Sequence, residues 1–207
     1  MLRKLKKWIL PREIDFFGSL SQQSVLTSKI VDELGNFYLE KSSRDSNQIF
    51  GLIEEAKKMR LANLKDLNAA FITPVDKEAI SRVYVHLHWV ALSIKHLVTE
   101  IDTYQIYSLT EYKKMFDLLG QEMAQLTEGV EMLGAKKYDQ VLENVFQAIQ
   151  LDDEIIKEYA GLLARLFREK DVQEIFSHRE ILSQLKEISK RIHICANHLE
   201  DIVFKMN

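Results

Sequence analysis

The chain has 207 residues, of which 46% are hydrophobic, so it carries enough apolar material for the core of a single domain. Its formal charge of -3 and its isoelectric point near 6.1 argue against a nucleic-acid partner, because nucleic-acid-binding domains are usually basic. No apolar run approaches the roughly 18 residues of a membrane-spanning helix, so we expect a soluble, cytoplasmic protein.

The first ten residues form a basic segment with apolar residues between the charges. Such a segment can rest on an anionic membrane at the inner face, or against the cytoplasmic loops of a membrane protein. It can equally be a terminus whose apolar residues pack back onto the first helix. Charged residues after Pro11 interrupt any secretory signal. The residues that would make a membrane or partner contact are Arg3, Lys4, Lys6, Lys7 and Trp8.

The rest of the chain predicts six helices and no strand, which is an all-α fold. Two prolines and seven glycines leave few breaks, and apolar residues recur at helical spacing. The first helix spans about 13–40, and the second follows a break at 41–45 and ends near Ala70. The third starts at Pro74, the fourth runs from the region of Ser108 to Gly134, and the fifth spans about 136–170. The sixth starts at 171 or 177 and continues to the end.

The stretch from Phe71 to Ile80 predicts the start of the third helix. Thr73 is a good N-cap, and Pro74 suits the first helical position because its missing N–H would have been unpaired there. Asp76 would then meet the positive end of the helix dipole, with Glu78 following it and Phe71 packed beneath. The apolar stripe continues through Val83, Leu87, Val90, Ile94, Leu97 and Ile101.

Two later helix starts are also marked. Ser108 and Glu111 form the pattern of a capping box for the fourth helix, and either Asp171 or Ser177 caps the sixth. The sixth helix has a stripe with the same spacing as the third: Leu185, Ile188, Ile192, Cys195, Leu199, Ile202 and Met206. The chain's single cysteine lies on this stripe and is predicted to be a buried, unreactive thiol.

The matching stripes suggest two copies of a three-helix unit within one domain, covering about 12–107 and 108–207. Any two amphipathic helices share this periodicity, so spacing alone leaves duplication and coincidence both open.

The stretch Phe71–Ile80 reads F-I-T-P-V-D-K-E-A-I and resembles the signature of the PhoU-like family. The most similar branch is that of the cytosolic accessory proteins of Pit-type phosphate transporters, which typically read F-I-T-P-F-D-R-E-D-I here. Weaker similarities occur along the chain at 8–17, 162–167, 179–181 and 195–201. The resemblance implies six long helices in two pseudo-symmetric three-helix bundles. It also implies a role in phosphate uptake or its signalling through protein contact.

Many members of that family bind metal clusters through carboxylates spaced four residues apart on facing helices. The resemblance places these ligand positions on Ile53, Lys57, His88, Trp89, Leu92, Ile156, Lys186 and Lys190. Acidic residues remain nearby at Glu54, Glu55, Asp152, Asp153, Glu154 and Glu187. Because a lysine repels a bound dication, we interpret the sites as degenerate and expect no metal or other cofactor.

The three lysines at these positions have two open interpretations. They can form ion pairs, for instance with Asp152 or Glu154, or extend to water where relatives hold metal. They can also be ordinary solvated surface lysines.

No pattern of catalytic residues stands out. The histidines lack the spacing of a zinc motif, and no nucleophile turn or phosphate-binding glycine loop occurs. We therefore predict that the protein is not an enzyme.

The first functional prediction is a regulator or accessory protein of inorganic phosphate transport that contacts a permease or a phosphate-signalling protein. One alternative is a metal-binding bundle that keeps a site through the remaining acids. Another is a helical scaffold or dimerisation module, which would act as a homo-oligomer.

Overall fold

The computed structural model of the chain describes residues 14–39, 46–106 and 108–206. A 3₁₀ turn at Thr110–Tyr112 separates the third and fourth helices. No strand occurs in the described ranges, so the all-α prediction is confirmed. The basic segment 1–10 and the predicted break at 41–45 lie outside the described residues. The helices are α1 (Phe16–Leu39), α2 (Asn47–Ala69), α3 (Lys77–Tyr104), α4 (Lys113–Gly134), α5 (Tyr138–Leu166) and α6 (Val172–Met206).

The helices pack in two sets of three. Helices α1, α2 and α3 contact one another, and so do α4, α5 and α6. Contacts between α1 and α4, and between α3 and α6, join the two sets. Within each set all three helices contact one another, as expected for two three-helix bundles. That the halves are copies of one ancestral unit stays a prediction.

Helices α3 and α6 run antiparallel. At one end, Lys205 in the last turn of α6 lies 3.1 Å from Asp76 before the start of α3. Further along, Gln184 of α6 donates a 2.8 Å hydrogen bond to Glu100 of α3. Among the helices of the described ranges, none is both long and apolar enough to cross a bilayer.

The predicted apolar stripes of α3 and α6 form the centre of the core. Every predicted stripe residue except Met206 is buried, with a relative exposure of at most 1%. Cys195 is among them, and burial raises the pKa of its thiol. Since the thiolate is the reactive form, the prediction of an unreactive buried thiol agrees with this environment.

The predicted start of α3 is wrong in detail. The helix begins at Lys77, and Asp76 is its N-cap, with its carboxylate accepting a 2.8 Å hydrogen bond from the N–H of Ala79. Thr73 is therefore not the cap, and Pro74 is not the first helical residue. A carboxylate and a threonine hydroxyl can both accept from the free N–H groups, but only the carboxylate also carries a negative charge that the positive helix end attracts. Phe71 does not pack beneath the start; its relative exposure is 89%.

The other two predicted starts have different outcomes. The capping box at Ser108 and Glu111 is wrong, because the 3₁₀ turn occupies this segment and α4 begins only at Lys113. Burial of Leu109 and Tyr112 holds the segment against the core in place of an earlier helical turn. For α6, Asp171 is the residue that caps, accepting from the N–H groups of Gln173 at 2.8 Å and Glu174 at 3.1 Å.

Candidate functional site

In the first set of helices, the positions that the resemblance assigns to metal ligands lie on α2 and α3. Ile53 is buried in the core, whereas Lys57 is half exposed and lies 3.6 Å from Glu54 on the same helix. Leu92 is partly buried, and Glu55 is exposed. Ile53 and Lys57 therefore place an apolar side chain and a cation where the resemblance implies oxygen ligands.

His88 occupies another of these positions on α3. It is partly buried, and its Nδ1 atom has no hydrogen-bond partner among the described residues. Burial lowers the pKa of His88, and the charges of Arg60 and Lys57 lower it further. The positive charges of Arg60 and Lys57 disfavour a dication beside this imidazole.

In the second set of helices, the positions that the resemblance assigns to metal ligands lie on α5 and α6. The ammonium group of Lys186 lies 4.4 Å from the ring centroid of Tyr159, in a cation–π contact. Lys190 is largely exposed and lies 4.0 Å from Glu187 on its own helix. Among the described contacts, neither lysine pairs with Asp152 or Glu154. Lys57 and Lys190 instead pair with an acid on their own helix, so the structure is compatible both with local ion pairs and with solvated lysines. The remaining positions Asp153, Glu154 and Ile156 are exposed.

Asp152 instead joins a buried polar cluster that the sequence reasoning missed. Its Oδ1 atom accepts a 2.6 Å hydrogen bond from the hydroxyl of Ser189, and its Oδ2 atom lies 2.7 Å from Nδ1 of His193. Glu122 of α4 approaches the same place and is fully buried. We call Glu122, Asp152, Ser189 and His193 the buried polar cluster. It draws one or more residues from each helix of the second set.

Glu122 is the unusual member of this cluster. Neither of its carboxyl oxygens has a hydrogen-bond partner among the described residues. Burial raises its pKa well above the ordinary value; the nearby hydroxyl of Ser189 acts in the opposite direction, and the charge of Asp152 raises the pKa further. The hydroxyl of Ser189 donates its hydrogen bond to Asp152, so it is not available to stabilise a charged Glu122. Glu122 is therefore most stable as a neutral acid.

The sequence did contain a signal for Glu122. It lies in the apolar stripe of α4, between Leu119 and Leu126, where an acid breaks the pattern. The partners of Glu122 come from other helices, and periodicity within one helix cannot identify them. The described residues contain no group of three or more His, Cys, Asp or Glu side chains arranged to hold a metal ion.

Trp89 and Arg191 mark an exposed seam between α3 and α6. The guanidinium carbon of Arg191 lies 4.5 Å from the ring centroid of Trp89, whose relative exposure is 41%. Arg191 is also paired with Glu187, one turn before it. Trp89 occupies a position where the resemblance implies an acidic ligand, and the structure has a cation–π pair there. We call Trp89, Arg191, His86 and His198 the α3–α6 seam.

His86 and His198 lie next to this pair. Their ring centroids are 4.6 Å apart. Burial, followed by the charges of His198, Arg191 and Arg82, lowers the pKa of His86 to about 4. Burial also lowers the pKa of His198. Two neutral imidazoles can lie this close because neither carries the proton that would repel the other.

One end of the protein exposes several large apolar side chains. Phe71 and Ile72, in the loop between α2 and α3, have relative exposures of 89% and 81%. Phe204, in the last turn of α6, has a relative exposure of 65%. Lys205, the next residue, reaches Asp76 and so places the end of α6 beside the start of α3. We call Phe71, Ile72 and Phe204 the apolar end surface.

Comparison with known proteins finds a distant relative. The chain is 27% identical over 144 residues to UPF0111 protein YkaA of Bacillus subtilis (strain 168), an alignment that covers 69% of this chain and 70% of that protein. No family model matches the chain. The name of this relative states no activity, so the comparison supports similarity between the two chains and leaves function to be argued from the residues.

Proposed function

We propose that this protein is a non-enzymatic regulator or accessory protein of inorganic phosphate transport, which acts by contact with another protein. The observation that carries the proposal is the resemblance of Phe71–Ile80 to the cytosolic accessory proteins of Pit-type transporters. The arrangement of six helices in two sets of three is the one that this resemblance implies. The partner would be a phosphate permease or a phosphate-signalling protein.

The α3–α6 seam is the surface that best suits such a contact. Tryptophan and arginine are the residues most enriched at the energetic centres of protein interfaces. Trp89 and Arg191 are already stacked on rigid helices, so little side-chain freedom would be lost when a partner binds.

Catalysis has less support from the geometry. The buried polar cluster contains the residue types of a hydrolase triad, namely Ser189, His193 and Asp152. Their hydrogen bonds are not arranged as in a triad. In a triad the imidazole accepts the serine proton, whereas here Ser189 donates to Asp152, and Asp152 also binds His193. Ser189 is fully buried as well, so a substrate could not reach its hydroxyl.

A deletion strain tests the proposed function. We expect its rate of inorganic phosphate uptake to differ from that of the parent strain, and the wild-type protein to restore it. Trp89→Ala should restore uptake poorly, whereas Tyr104→Ala, which alters an exposed aromatic residue at the end of α3, should restore it fully. Unchanged uptake in the deletion strain would reject the function and favour a plain scaffold. Full restoration by Trp89→Ala would reject only the seam.

The buried polar cluster favours ion binding as a second candidate function. A buried carboxyl group without a partner, close to a second carboxylate, is stabilised by a bound cation or by a proton. Element analysis of purified protein decides between a bound metal cation and a proton. A stoichiometric metal that Asp152→Asn and Glu122→Gln remove, but Asp153→Asn retains, would support a metal site. If wild-type protein contains no metal, the carboxyl group of Glu122 is neutralised by a proton instead.

A further inference from the structure

Helix α5 carries a second stripe of mostly apolar residues, separate from the one that it buries in the core. The residues of this second stripe, which we call the outer α5 face, are Leu142, Phe146, Ile149, Asp153, Ile156, Ala160, Leu163 and Phe167. None of them is among the buried residues of α5. At 3.6 residues per turn these positions fall within an arc of about 100°, so they share one side of the helix.

The largest side chains of the outer α5 face lie in water. Phe146, Ile156 and Phe167 have relative exposures of 57%, 46% and 58%. The members of the face that are partly buried against the core are Leu142, Ile149 and Leu163. A continuous row of exposed apolar side chains on a rigid helix marks an interaction surface.

The spacing of this face is that of a coiled-coil seam. Its residues alternate in steps of four and three, as the a and d positions of a heptad do. The d positions hold only branched aliphatic side chains, and they are Leu142, Ile149, Ile156 and Leu163. The seam extends over about 38 Å at 1.5 Å per residue. A helix of similar length therefore fits this face, because a and d side chains insert between those of a facing helix.

The charges beside the outer α5 face are separated by sign along the helix. The adjoining row, on the side away from the core, consists of the exposed residues Asp139, Glu143, Gln150, Lys157, Ala164 and Arg168. Its acids precede Gln150 and its bases follow it, and α5 has no lysine or arginine before Lys157. The one further acid of the second half, Glu158, is already paired with Lys114. A parallel second copy would align like charges, whereas an antiparallel one places acids beside bases.

The apolar positions are complementary in the same antiparallel arrangement. A two-fold axis between residues 154 and 155 brings every a position opposite a d position of the other chain. The pairs that result are Leu142 with Phe167, Phe146 with Leu163, and Ile149 with Ala160. At the centre, Asp153 lies opposite the second copy's Ile156, next to the second copy's Lys157. A polar residue at one a position lowers the stability of a coiled coil but fixes its register.

We propose that two copies of this protein associate through the outer α5 face, with their α5 helices antiparallel. The occupant is a second copy because the face is complementary to itself in heptad register and in charge. Such a contact is isologous, so it closes at two chains. Self-association does not require the role in phosphate transport, and the residues of the α3–α6 seam are not part of this face. Uptake and molecular mass therefore test separate statements.

Sedimentation velocity of the full-length protein over a range of concentrations tests the proposal. We expect the fraction of dimer to rise with concentration. Phe146→Ser/Ile156→Ser should raise the dissociation constant of the dimer at least about tenfold, because it removes apolar side chains from the seam. Asp153→Leu should lower this constant at least about threefold, because it replaces the charged residue of the seam with an aliphatic one.

The matched control is Phe71→Ser/Ile72→Ser, which makes the same chemical change in the loop between α2 and α3. Phe71 and Ile72 are more exposed than Phe146 and Ile156, yet this variant should dimerise like wild-type protein. Thermal melts should show that both double variants are folded. Wild-type protein that stays monomeric at every concentration would overturn the proposal. Unchanged dimerisation of Phe146→Ser/Ile156→Ser, or an equal loss in the control, would overturn it as well.

Cross-linking through introduced cysteines tests the orientation of the two helices. The chain's own Cys195 is buried, so a thiol placed on the outer α5 face is the accessible one. A mixture of Ile149→Cys and Ala160→Cys should form more disulfide-linked dimer under mild oxidation than either variant alone. Preferential cross-linking of Ile149→Cys with itself would indicate parallel helices, and the proposed arrangement would then be wrong.

Discussion

Asp152 holds two side chains of α6 at once, with Ser189 at one carboxylate oxygen and His193 at the other, at 2.6 and 2.7 Å. The two partners are one turn apart on α6, so a single acid on α5 fixes the register between these helices. Glu122 of α4 completes the cluster without a hydrogen bond of its own.

Asp152→Ala should destabilise the protein by about 2–4 kcal/mol, because it leaves two polar partners unpaired and opens a small cavity. The adjacent Asp153 is exposed, and Asp153→Ala is the matched control, with an expected effect within about 0.5 kcal/mol. Urea unfolding followed by circular dichroism measures both. Equal effects for the two variants would show that the cluster does not stabilise the fold.

Glu122→Gln should change how stability depends on pH. The pKa of Glu122 is raised in the folded protein, so the unfolded chain releases this proton first as the pH rises past the ordinary value of 4.5. Wild-type stability should therefore fall as the pH increases from that value towards the folded pKa. An amide cannot ionise, so Glu122→Gln should be the more stable protein at about pH 8, by about 1–3 kcal/mol.

The comparison for Glu122→Gln is urea unfolding at about pH 4 and about pH 8. The increase in the free energy of unfolding of Glu122→Gln over wild-type protein should be smaller at the lower pH, because residue 122 is then mostly neutral in both proteins. A constant difference at both pH values would mean that Glu122 is ionised in the folded protein.

His86 should make the protein sensitive to acid. Its pKa is lowered to about 4 from 6.5, so the unfolded state binds a proton that the folded state excludes. The stability that the neutral His86 ring contributes to the folded protein is fully present above pH 6.5, decreases as the pH falls, and is lost below about pH 4. Thermal melts of His86→Phe should show a weaker pH dependence in this range than wild-type protein.

His96 is exposed on the same helix and provides the control variant, His96→Phe. It should keep the pH dependence of wild-type protein. Nuclear magnetic resonance of the His86 ring should also show titration near pH 4, and titration near its ordinary value would contradict the environment described for the α3–α6 seam.

The N-cap of α3 gives a fourth prediction. Asp76→Ala should cost about 1 kcal/mol, whereas Thr73→Ala should have little effect, because Asp76 and not Thr73 binds the N–H of Ala79. The hydrogen bond to Ala79, and then the one from Lys205, lower the pKa of Asp76. The cap should therefore weaken as the pH falls below the ordinary value of 3.8. Urea melts in which Thr73→Ala is the more damaging variant would contradict this assignment.

The sequence predicted what depends on residues within one helix. The stripes through Val83 and Ile192 are buried as expected, because an apolar stripe needs only its own periodicity to be recognised. The capping residue of α3 differs from the predicted one, since Thr73 and Asp76 both suit an N-cap by residue type and only the structure shows that Asp76 binds the N–H of Ala79. Likewise, nothing near Glu122 in the sequence points to Ser189, because their proximity is created by the packing of α4 against α6.

The contacts of α1 with α4, and of α3 with α6, make the two halves of the chain dependent on each other. The stripe residues that α3 and α6 pack against each other are almost completely buried. A half expressed alone would therefore expose a large apolar surface to water. We expect each half to aggregate alone, and the two to refold together when mixed from denaturant. Loss of structure in the full-length chain should accordingly occur in one cooperative step. In a Trp8→Phe variant, which leaves Trp89 as the single tryptophan, fluorescence and helical circular dichroism should change at the same denaturant concentration.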